Sequence, residues 1–133
     1  MRTYKPEVVN AIAARIPDMG GYADFTDAVL DAKNIFLHDG GVAACIWSAP
    51  RVYECHLFFP PECRGRFAVT ASKRMGDYMM TYHAEMLWAQ PAASNKAAIW
   101  LGRQAGFDVI GNGYHSLIGA VVYMKRGVLC HQQ

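Results

Sequence analysis

The chain has 133 residues, of which 53% are hydrophobic and 18% charged, and its formal net charge is +2. A chain of this length with so few charges can form a core of its own, which excludes intrinsic disorder. The basic excess is small and no Lys/Arg-rich run is present, so we expect no nucleic-acid partner. The longest uncharged stretch, 109–124, is too short and polar for a membrane span, and the first residues lack the apolar run of a signal peptide. We therefore expect a cytoplasmic protein with no membrane partner.

Apolar spacing, prolines and glycines predict ten elements in the order α-α-β-β-β-α-β-α-β-β. In the first helix, Val8, Ile12 and Ile16 recur at helical spacing. No strand is evident before this helix, and the last two strands are joined by the Gly-rich loop GNGYHSLIG. The predicted elements are helices at 5–16 and 24–32, strands at 34–38, 42–48 and 52–59, a helix at 65–83, a strand at 85–90, a helix at 95–105, and strands at 107–110 and 120–125.

The order of the elements predicts the fold class. Three consecutive strands with short links, one of them the hairpin sequence Asp39-Gly40-Gly41, predict an antiparallel meander. A β-α-β-α-β segment follows it, so we expect an α/β (α+β) mixed sheet in a single domain over residues 1–133. We also expect the three tryptophans, Trp47, Trp88 and Trp100, to line the core.

Neither the cysteines nor the histidines are spaced as metal ligands. Cys45, Cys55, Cys63 and Cys130 include no Cys-x-x-Cys pair, and the five histidines are scattered, so we expect no metal site. Four cysteines are enough for two disulfides. However, Cys45 and Cys55 lie in apolar, strand-like runs, which favours buried free thiols.

One segment, FFPPECRGRFAV, can bind an anion where a strand gives way to the longest helix. A helix that begins after a short glycine-containing loop points free backbone N–H groups outward, and this favours phosphate or pyrophosphate. Arg64 and Arg66 flank the helix start and add positive charge. The alternative interpretation of the same residues is a capped helix after a turn, with two solvated arginines.

This segment and a second one resemble the GCN5-related N-acetyltransferase (GNAT) superfamily. FFPPECRGRFAV is similar to the family's strand–x-P-x-x-RG approach to the coenzyme A pyrophosphate loop. NKAAIWLGRQAGF is similar to the family's N-x-x-A-x-x-L-x-x-x-x-G-F helix, and its matching residues are Asn95, Ala98, Leu101, Gly106 and Phe107. The resemblance, over roughly residues 34–125, implies a GNAT-like fold in which the strands at 52–59 and 85–90 are parallel neighbours that splay apart.

The resemblance also implies a cleft for acetyl-coenzyme A between those two strands, and transfer of its acetyl group to an amine by direct attack. Phe58 and Phe59 would offer backbone groups to the pantetheine arm. Asn95 would lie near the pantetheine or adenosine-phosphate end, although it also stands where a helix N-cap is expected, beside Ser94. The pyrophosphate would meet the residues at the start of the long helix, which are Arg64, Gly65, Arg66, Phe67, Ala68 and Val69.

The sequence departs from the family pattern at three positions. Phe67 and Val69 replace the usual small residues of the phosphate loop, and Gly102 stands where many members have a tyrosine that protonates the departing thiolate. Without that tyrosine, the proton for the departing thiolate would come from Tyr114 or from water. Small phage-associated members have a similar loop, P-x-x-RG-x-x-A. The alternative is therefore a non-catalytic GNAT-fold protein, such as a phage structural or host-interacting component.

A catalytic base can be nominated from the residues themselves. Attack on a thioester requires a neutral amine, so a proton must leave. Glu54 and His56 are two apart on one strand and share a face, and histidine titrates near neutral pH. Their alternative role is structural, whereas Cys55 points to the opposite face with no partner base. We expect the acceptor to be a small-molecule or peptide amine. The possible assembly is a homodimer.

Overall fold

The computed structural model describes residues 1–17 and 24–128, and its elements follow the predicted order with two additions, a first strand and a short 3-10 helix at Pro61–Cys63. The helices are α1 (Pro6–Ala13), α2 (Thr26–Leu30), α3 (Arg66–Tyr82) and α4 (Lys96–Gln104). The strands are β1 (Arg2–Thr3), β2 (Ile35–His38), β3 (Val42–Ala49), β4 (Val52–Phe58), β5 (Met86–Ala89), β6 (Asp108–His115) and β7 (Gly119–Gly127).

The seven described strands form one mixed sheet in the order β1-β2-β3-β4-β5-β7-β6. Strands β2, β3 and β4 pair antiparallel as the predicted meander, and β4 pairs parallel with β5. Strand β7 lies antiparallel between β5 and β6. The parallel contact requires a crossover, which α3 provides. The predicted α/β class, the meander and the parallel pair are confirmed.

Two expectations about strands were wrong. The chain does begin with a strand, β1, but this strand has only two residues and depends on pairing with Phe36 and Leu37 of β2. The expected Gly-rich loop is largely strand, because β6 continues to His115 and the turn spans only residues 116–118. Within β6, a Cβ at Gly113 would overlap the ring of Tyr123, so this glycine makes room for a cross-strand neighbour.

Helices cover both faces of the sheet. On one face, Met75 and Met79 of α3 pack with Leu87 of β5 and Met124 of β7, and α4 packs against the same cluster. On the other face, α1 and α2 contribute Val9 and Val29 to a smaller cluster. These helices are amphipathic, since their apolar residues recur at three- and four-residue spacing. No helix in the described part of the chain is long and apolar enough to cross a membrane.

The tryptophan expectation was wrong, whereas the expected free thiols at Cys45 and Cys55 are present, with Cys45 buried and Cys55 half-buried. Trp47 is 38% exposed, Trp100 is 51% exposed and Trp88 is half-buried, so none of them lies in the core. Cys45 and Cys55 oppose each other on β3 and β4, with Sγ atoms 3.9 Å apart, and both are free, as is Cys63. Cys130 lies outside the described residues. Within residues 1–17 and 24–128, no cluster of three or more His, Cys, Asp or Glu side chains can hold a metal ion.

Candidate functional site

A cleft opens where the two parallel strands separate. Strands β4 and β5 pair over three residues only, from Val52 with Met86 to Glu54 with Trp88. Beyond Glu54, no described β5 residue pairs with β4, so the backbone of this edge of β4 has no strand partner up to Phe58. Unpaired backbone donors and acceptors at such an edge are free to bind a ligand. The splay that the GNAT resemblance implies is therefore present.

The cleft contains two adjoining cavities that share four lining residues, namely Leu57, Asn95, Ala98 and Leu101. The first cavity, of about 270 Å³, lies between the separated strands, with His56 and Gln90 in its wall and Ile118 reaching over from the β6–β7 turn. The second cavity, of about 390 Å³, lies between the end of β4, the start of α3 and α4.

Six of the nine predicted cofactor-binding residues line the second cavity, namely Phe58, Phe59, Arg64, Gly65, Ala68 and Asn95. They come from three separate elements, so only the fold brings them together. Phe59 is buried, at 4% exposure, and Phe58 stacks on Phe25 with ring centroids 5.2 Å apart. Both side chains are anchored in the protein, and their backbone is the part available to a ligand.

The start of α3 has the features of an anion site. Gly65 is the N-cap, with φ of 76°, and neither a side-chain cap nor an acidic first-turn residue is present there. The first α3 turn therefore keeps backbone N–H groups without an intrahelical or capping partner, at the positive end of the helix dipole. Arg64 adds positive charge beside them, and its Nε donates a hydrogen bond to the Phe59 carbonyl at 3.1 Å.

The other three predicted residues, Arg66, Phe67 and Val69, do not line either cavity. The Phe67 ring lies where a Cβ at Gly40 would be, so its side chain points to the β2–β3 hairpin. A side chain at this position therefore leaves the space in front of the α3 N–H groups open. Phe67, which stands where the family usually has glycine, therefore does not obstruct the cavity.

The two predicted base residues lie together on one face of β4. His56 lines the first cavity with its side chain 53% exposed, and Glu54 is more buried, with its side chain 19% exposed. The Glu54 Oε2 atom lies 3.6 Å from His56 Nε2 and accepts a hydrogen bond from Gln90 Nε2 at 2.9 Å. Gln90 thus fixes the carboxylate, and the carboxylate faces one nitrogen of the imidazole.

Cys55 also lines the first cavity, but from the opposite face of β4. The hydrogen bond with Cys45 raises the pKa of the Cys55 thiol well above its ordinary value, and burial adds to the increase. A thiol with a raised pKa stays protonated at neutral pH and is a poor nucleophile. This environment agrees with the expectation that Cys55 does not attack the thioester.

The position of the missing tyrosine is filled by another side chain. Gly102 lines the first cavity, and a Cβ built there would lie 2.9 Å from Met124 Cε. Met124 therefore occupies the space that a larger residue at this position would need. Tyr114, the substitute considered from the sequence, lies on β6 with 76% exposure and is not among the residues that line either cavity.

Asn95 is the N-cap of α4. Its Oδ1 accepts a hydrogen bond from the Ala98 N–H at 3.1 Å, so Asn95 itself, and not the neighbouring Ser94, caps the helix. Asn95 takes the role because it directly precedes the first helical residue. It also lines both cavities, and its side-chain amide nitrogen remains as a donor at the junction between them.

Sequence reasoning missed three residues of the site, Gln90, Ile118 and Trp100. Gln90 donates a hydrogen bond to Glu54, which is 36 positions away in the sequence. Ile118 belongs to the three-residue turn, whereas the sequence predicted a long Gly-rich loop. Trp100 lines the second cavity instead of the core. Only Gln90 had a local signal, since a polar residue directly after a strand often lies at the sheet edge where ligands bind.

The sequence matches no protein-family model and no curated protein. The structure is similar to GNAT acetyltransferases. Spermidine N-acetyltransferase from Vibrio cholerae, in complex with CoA and spermine, has 21% identity and a TM-score of 0.62, with 77% of this chain and 70% of that chain covered. Aminoglycoside acetyltransferase AAC(6')-Ib with coenzyme A has 16% identity and a TM-score of 0.60, with 74% and 69% covered. The chain therefore has the GNAT fold.

Proposed function

We propose that this protein is an acetyl-coenzyme A-dependent N-acetyltransferase that acts on a small-molecule or peptide amine. The observation on which the proposal rests is the cleft between β4 and β5, which joins an uncapped helix start at Gly65 to His56. Glu54 lines neither cavity, and its carboxylate lies behind His56, 3.6 Å from Nε2. One end suits a pyrophosphate and the other suits an amine that must lose a proton.

The second cavity fits the nucleotide and pantetheine parts of the co-substrate. The backbone N–H groups of the first α3 turn and the Arg64 guanidinium would hold the pyrophosphate, and the unpaired edge of β4 near Phe58 would hold the pantetheine amides. Asn95, at the junction of the cavities, would donate to the same arm. Acetyl-coenzyme A supplies an acetyl group that is activated as a thioester.

In the first cavity, His56 is the proposed base. The Glu54 carboxylate faces Nε2, so a proton held there leaves Nδ1 free to accept a proton from the acceptor ammonium. Gln90 keeps the carboxylate in place through its 2.9 Å hydrogen bond. The exposed side of His56 connects it to solvent, to which the proton then passes. The cavity walls would position the neutral amine next to the bound thioester. Its nitrogen would attack the acetyl carbonyl carbon, the carbon–sulfur bond would break, and the departing thiolate would take, through water, the proton that the nitrogen loses.

The ligands of structurally similar proteins support an amine acceptor. Spermine is bound in the spermidine N-acetyltransferase structure, and paromomycin, an aminoglycoside, is bound with acetyl-CoA in one structure of AAC(6')-Ib. Both acceptors are small molecules with several amines. We therefore propose that polyamines, aminoglycosides and short peptides are the first acceptor classes to test.

The proposal is tested by measuring binding and turnover separately. Acetyl-CoA at about 100 times its dissociation constant should raise the free energy of unfolding by about 2.7 kcal/mol. Mass spectrometry of the acceptor panel should then detect an acetyl adduct that needs both acetyl-CoA and the parent protein, with His56→Gln as the matched control. The absence of a thermal shift at millimolar acetyl-CoA would contradict the proposal.

The second candidate is a non-catalytic GNAT-fold protein, in particular a phage structural or host-interacting component. The observation in its favour is that Met124 fills the space beside Gly102 where the family tyrosine would stand. This candidate predicts either no coenzyme A binding, or binding without an acetyl adduct on any acceptor. The assays above separate these results from the enzyme.

We propose that the protein works in the cytoplasm, which is the host cytoplasm if the gene belongs to a phage. The support is the free state of Cys45, Cys55 and Cys63, since reducing compartments keep thiols unpaired. Labelling of intact cells with a thiol reagent that does not cross membranes should leave these cysteines unmodified.

We also propose a homodimer through β6. This strand is an edge of the sheet, and Val109, Ile110 and Tyr114 are 39%, 56% and 76% exposed. An unprotected apolar edge favours pairing with another strand. Antiparallel pairing of two β6 strands can place Asp108 opposite His115 of the second copy. Light scattering should give the mass of two chains, and Ile110→Lys should give the mass of one.

A further inference from the structure

Trp100 forms an exposed aromatic wall of the second cavity. It is 51% exposed and lines the cavity together with Ala97, which precedes it by almost one helical turn of α4. Residues three apart lie on the same face of a helix, so Ala97 and Trp100 are neighbours on the face of α4 that meets the cavity. The small side chain of Ala97 leaves the indole accessible from the cavity.

The Trp100 indole has no partner among the residues that the structure describes, in contrast to the other two tryptophans. Trp47 lies under the Lys33 ammonium, with Nζ 4.6 Å from the ring centroid. The indole N–H of Trp88 donates a hydrogen bond to Ser48 Oγ at 3.0 Å. A large apolar ring left half in solvent at a cavity wall is a typical ligand-binding feature.

The chemistry of the second cavity identifies the kind of ligand that such a ring would meet. Arg64 is the only charged residue among its described lining residues, and it is positive. The uncapped start of α3 lies in the same wall at Gly65. A flat aromatic surface beside a cation and an anion-binding helix start matches a nucleotide, whose base stacks while its phosphates meet the N–H groups.

We propose that Trp100 is a stacking platform for a purine base, and specifically for the adenine of coenzyme A. This inference rests on the proposed function, because it assigns the nucleotide end of the same cleft. The inference assigns a different part of the protein to each half of the co-substrate. The pantetheine arm is held by the backbone of β4, and the adenosine end is held by one side chain of α4.

The experiment measures the affinity of coenzyme A, pantetheine and adenosine 3′,5′-bisphosphate by calorimetry for the parent, Trp100→Ala and Trp100→Phe. Stacking on one aromatic ring corresponds to a change in affinity of about 5- to 150-fold. We expect Trp100→Ala to weaken coenzyme A and the bisphosphate by a factor in this range and to leave pantetheine unchanged. Trp100→Phe should retain most of the affinity, since it keeps an aromatic face.

Fluorescence provides a second readout that does not depend on stability. In a Trp47→Phe, Trp88→Phe variant, Trp100 is the only tryptophan, and the bisphosphate should quench its emission. Equal coenzyme A affinity in the parent and Trp100→Ala, or no quenching at saturating bisphosphate, would overturn the platform and leave the proposed function intact. Failure of the parent to bind either coenzyme A or pantetheine would instead overturn the proposed function, and this inference with it.

Discussion

The methyl group of Met124 lies 2.9 Å from the point where a Cβ on Gly102 would stand, and its sulfur lies 3.2 Å from that point. The glycine and the methionine therefore share one space in the wall of the first cavity. Gly102→Tyr should lower the free energy of unfolding by about 1–3 kcal/mol, because the added ring displaces a packed side chain. Chemical denaturation measures this change. Gly111→Tyr is the matched control, since a Cβ at Gly111 meets no atom within 4 Å.

Arg64→Ala should weaken coenzyme A binding by about 1–3 kcal/mol, because a charged contact to phosphate is lost. Calorimetry measures the difference. Arg66→Ala is the matched control, since Arg66 is exposed and lines neither cavity. Equal losses in the two variants would mean that general positive charge, and not a contact from Arg64, supports binding.

His56→Gln should lower turnover by roughly 10²–10⁴-fold, because a general base is removed from the first cavity. The affinity for acetyl-CoA should stay close to that of the parent, since His56 does not line the second cavity. His38→Gln is the control, because His38 lies on β2 and lines neither cavity. A variant of His56 that keeps full turnover would remove this residue from the mechanism.

Asn95→Asp should keep stability and weaken coenzyme A binding. Asp caps a helix about as well as Asn, so the bond to the Ala98 N–H is retained, whereas a negative charge is placed near the phosphates. Asn95→Ala should lower the free energy of unfolding by about 0.5–2 kcal/mol through loss of the cap. Ser94→Ala is the control and should change neither quantity. If Asn95→Asp binds coenzyme A as tightly as the parent, Asn95 is only a cap.

The pH dependence of stability should contain a contribution from His83. Burial lowers the pKa of this imidazole, and Arg2 and Arg51 lower it further, while its Nε2 has no hydrogen-bond partner among the described residues. The unfolded chain therefore binds a proton that the folded chain does not, and stability falls as the pH drops below about 6.5. His83→Gln should flatten this decrease in thermal unfolding between pH 7.5 and 5.5.

The sequence predicted the elements whose signals are local. The apolar spacing of α3 and the Gly40 hairpin are properties of neighbouring residues, so the meander and the long helix followed from them. Strand β1 has two residues and exists only through pairing with β2, so no periodicity could indicate it. The glycines of β6 are typical of a loop in sequence, and the reason for Gly113 is the ring of Tyr123, which packs over it from the neighbouring strand.

The same distinction applies to the site. The α3 start and Asn95 were predictable because each lies in a short, continuous segment that is similar to a family motif. The partners of these residues come from distant sequence, as Gln90 does for Glu54. Trp100 was misplaced because its apolar neighbours on α4 are typical of a core, and its exposure depends on which element packs beside it.

The β6–β7 turn has a consequence for how this protein can diversify. Its three residues lie outside the strand ladder, with Leu117 90% exposed while Ile118 closes one side of the first cavity. Exchange or lengthening of this turn would alter that wall and leave the α3 start untouched. Under the proposed function, substitutions in this one short turn can therefore change the preference for the acceptor, while the residues that bind the acetyl donor stay the same.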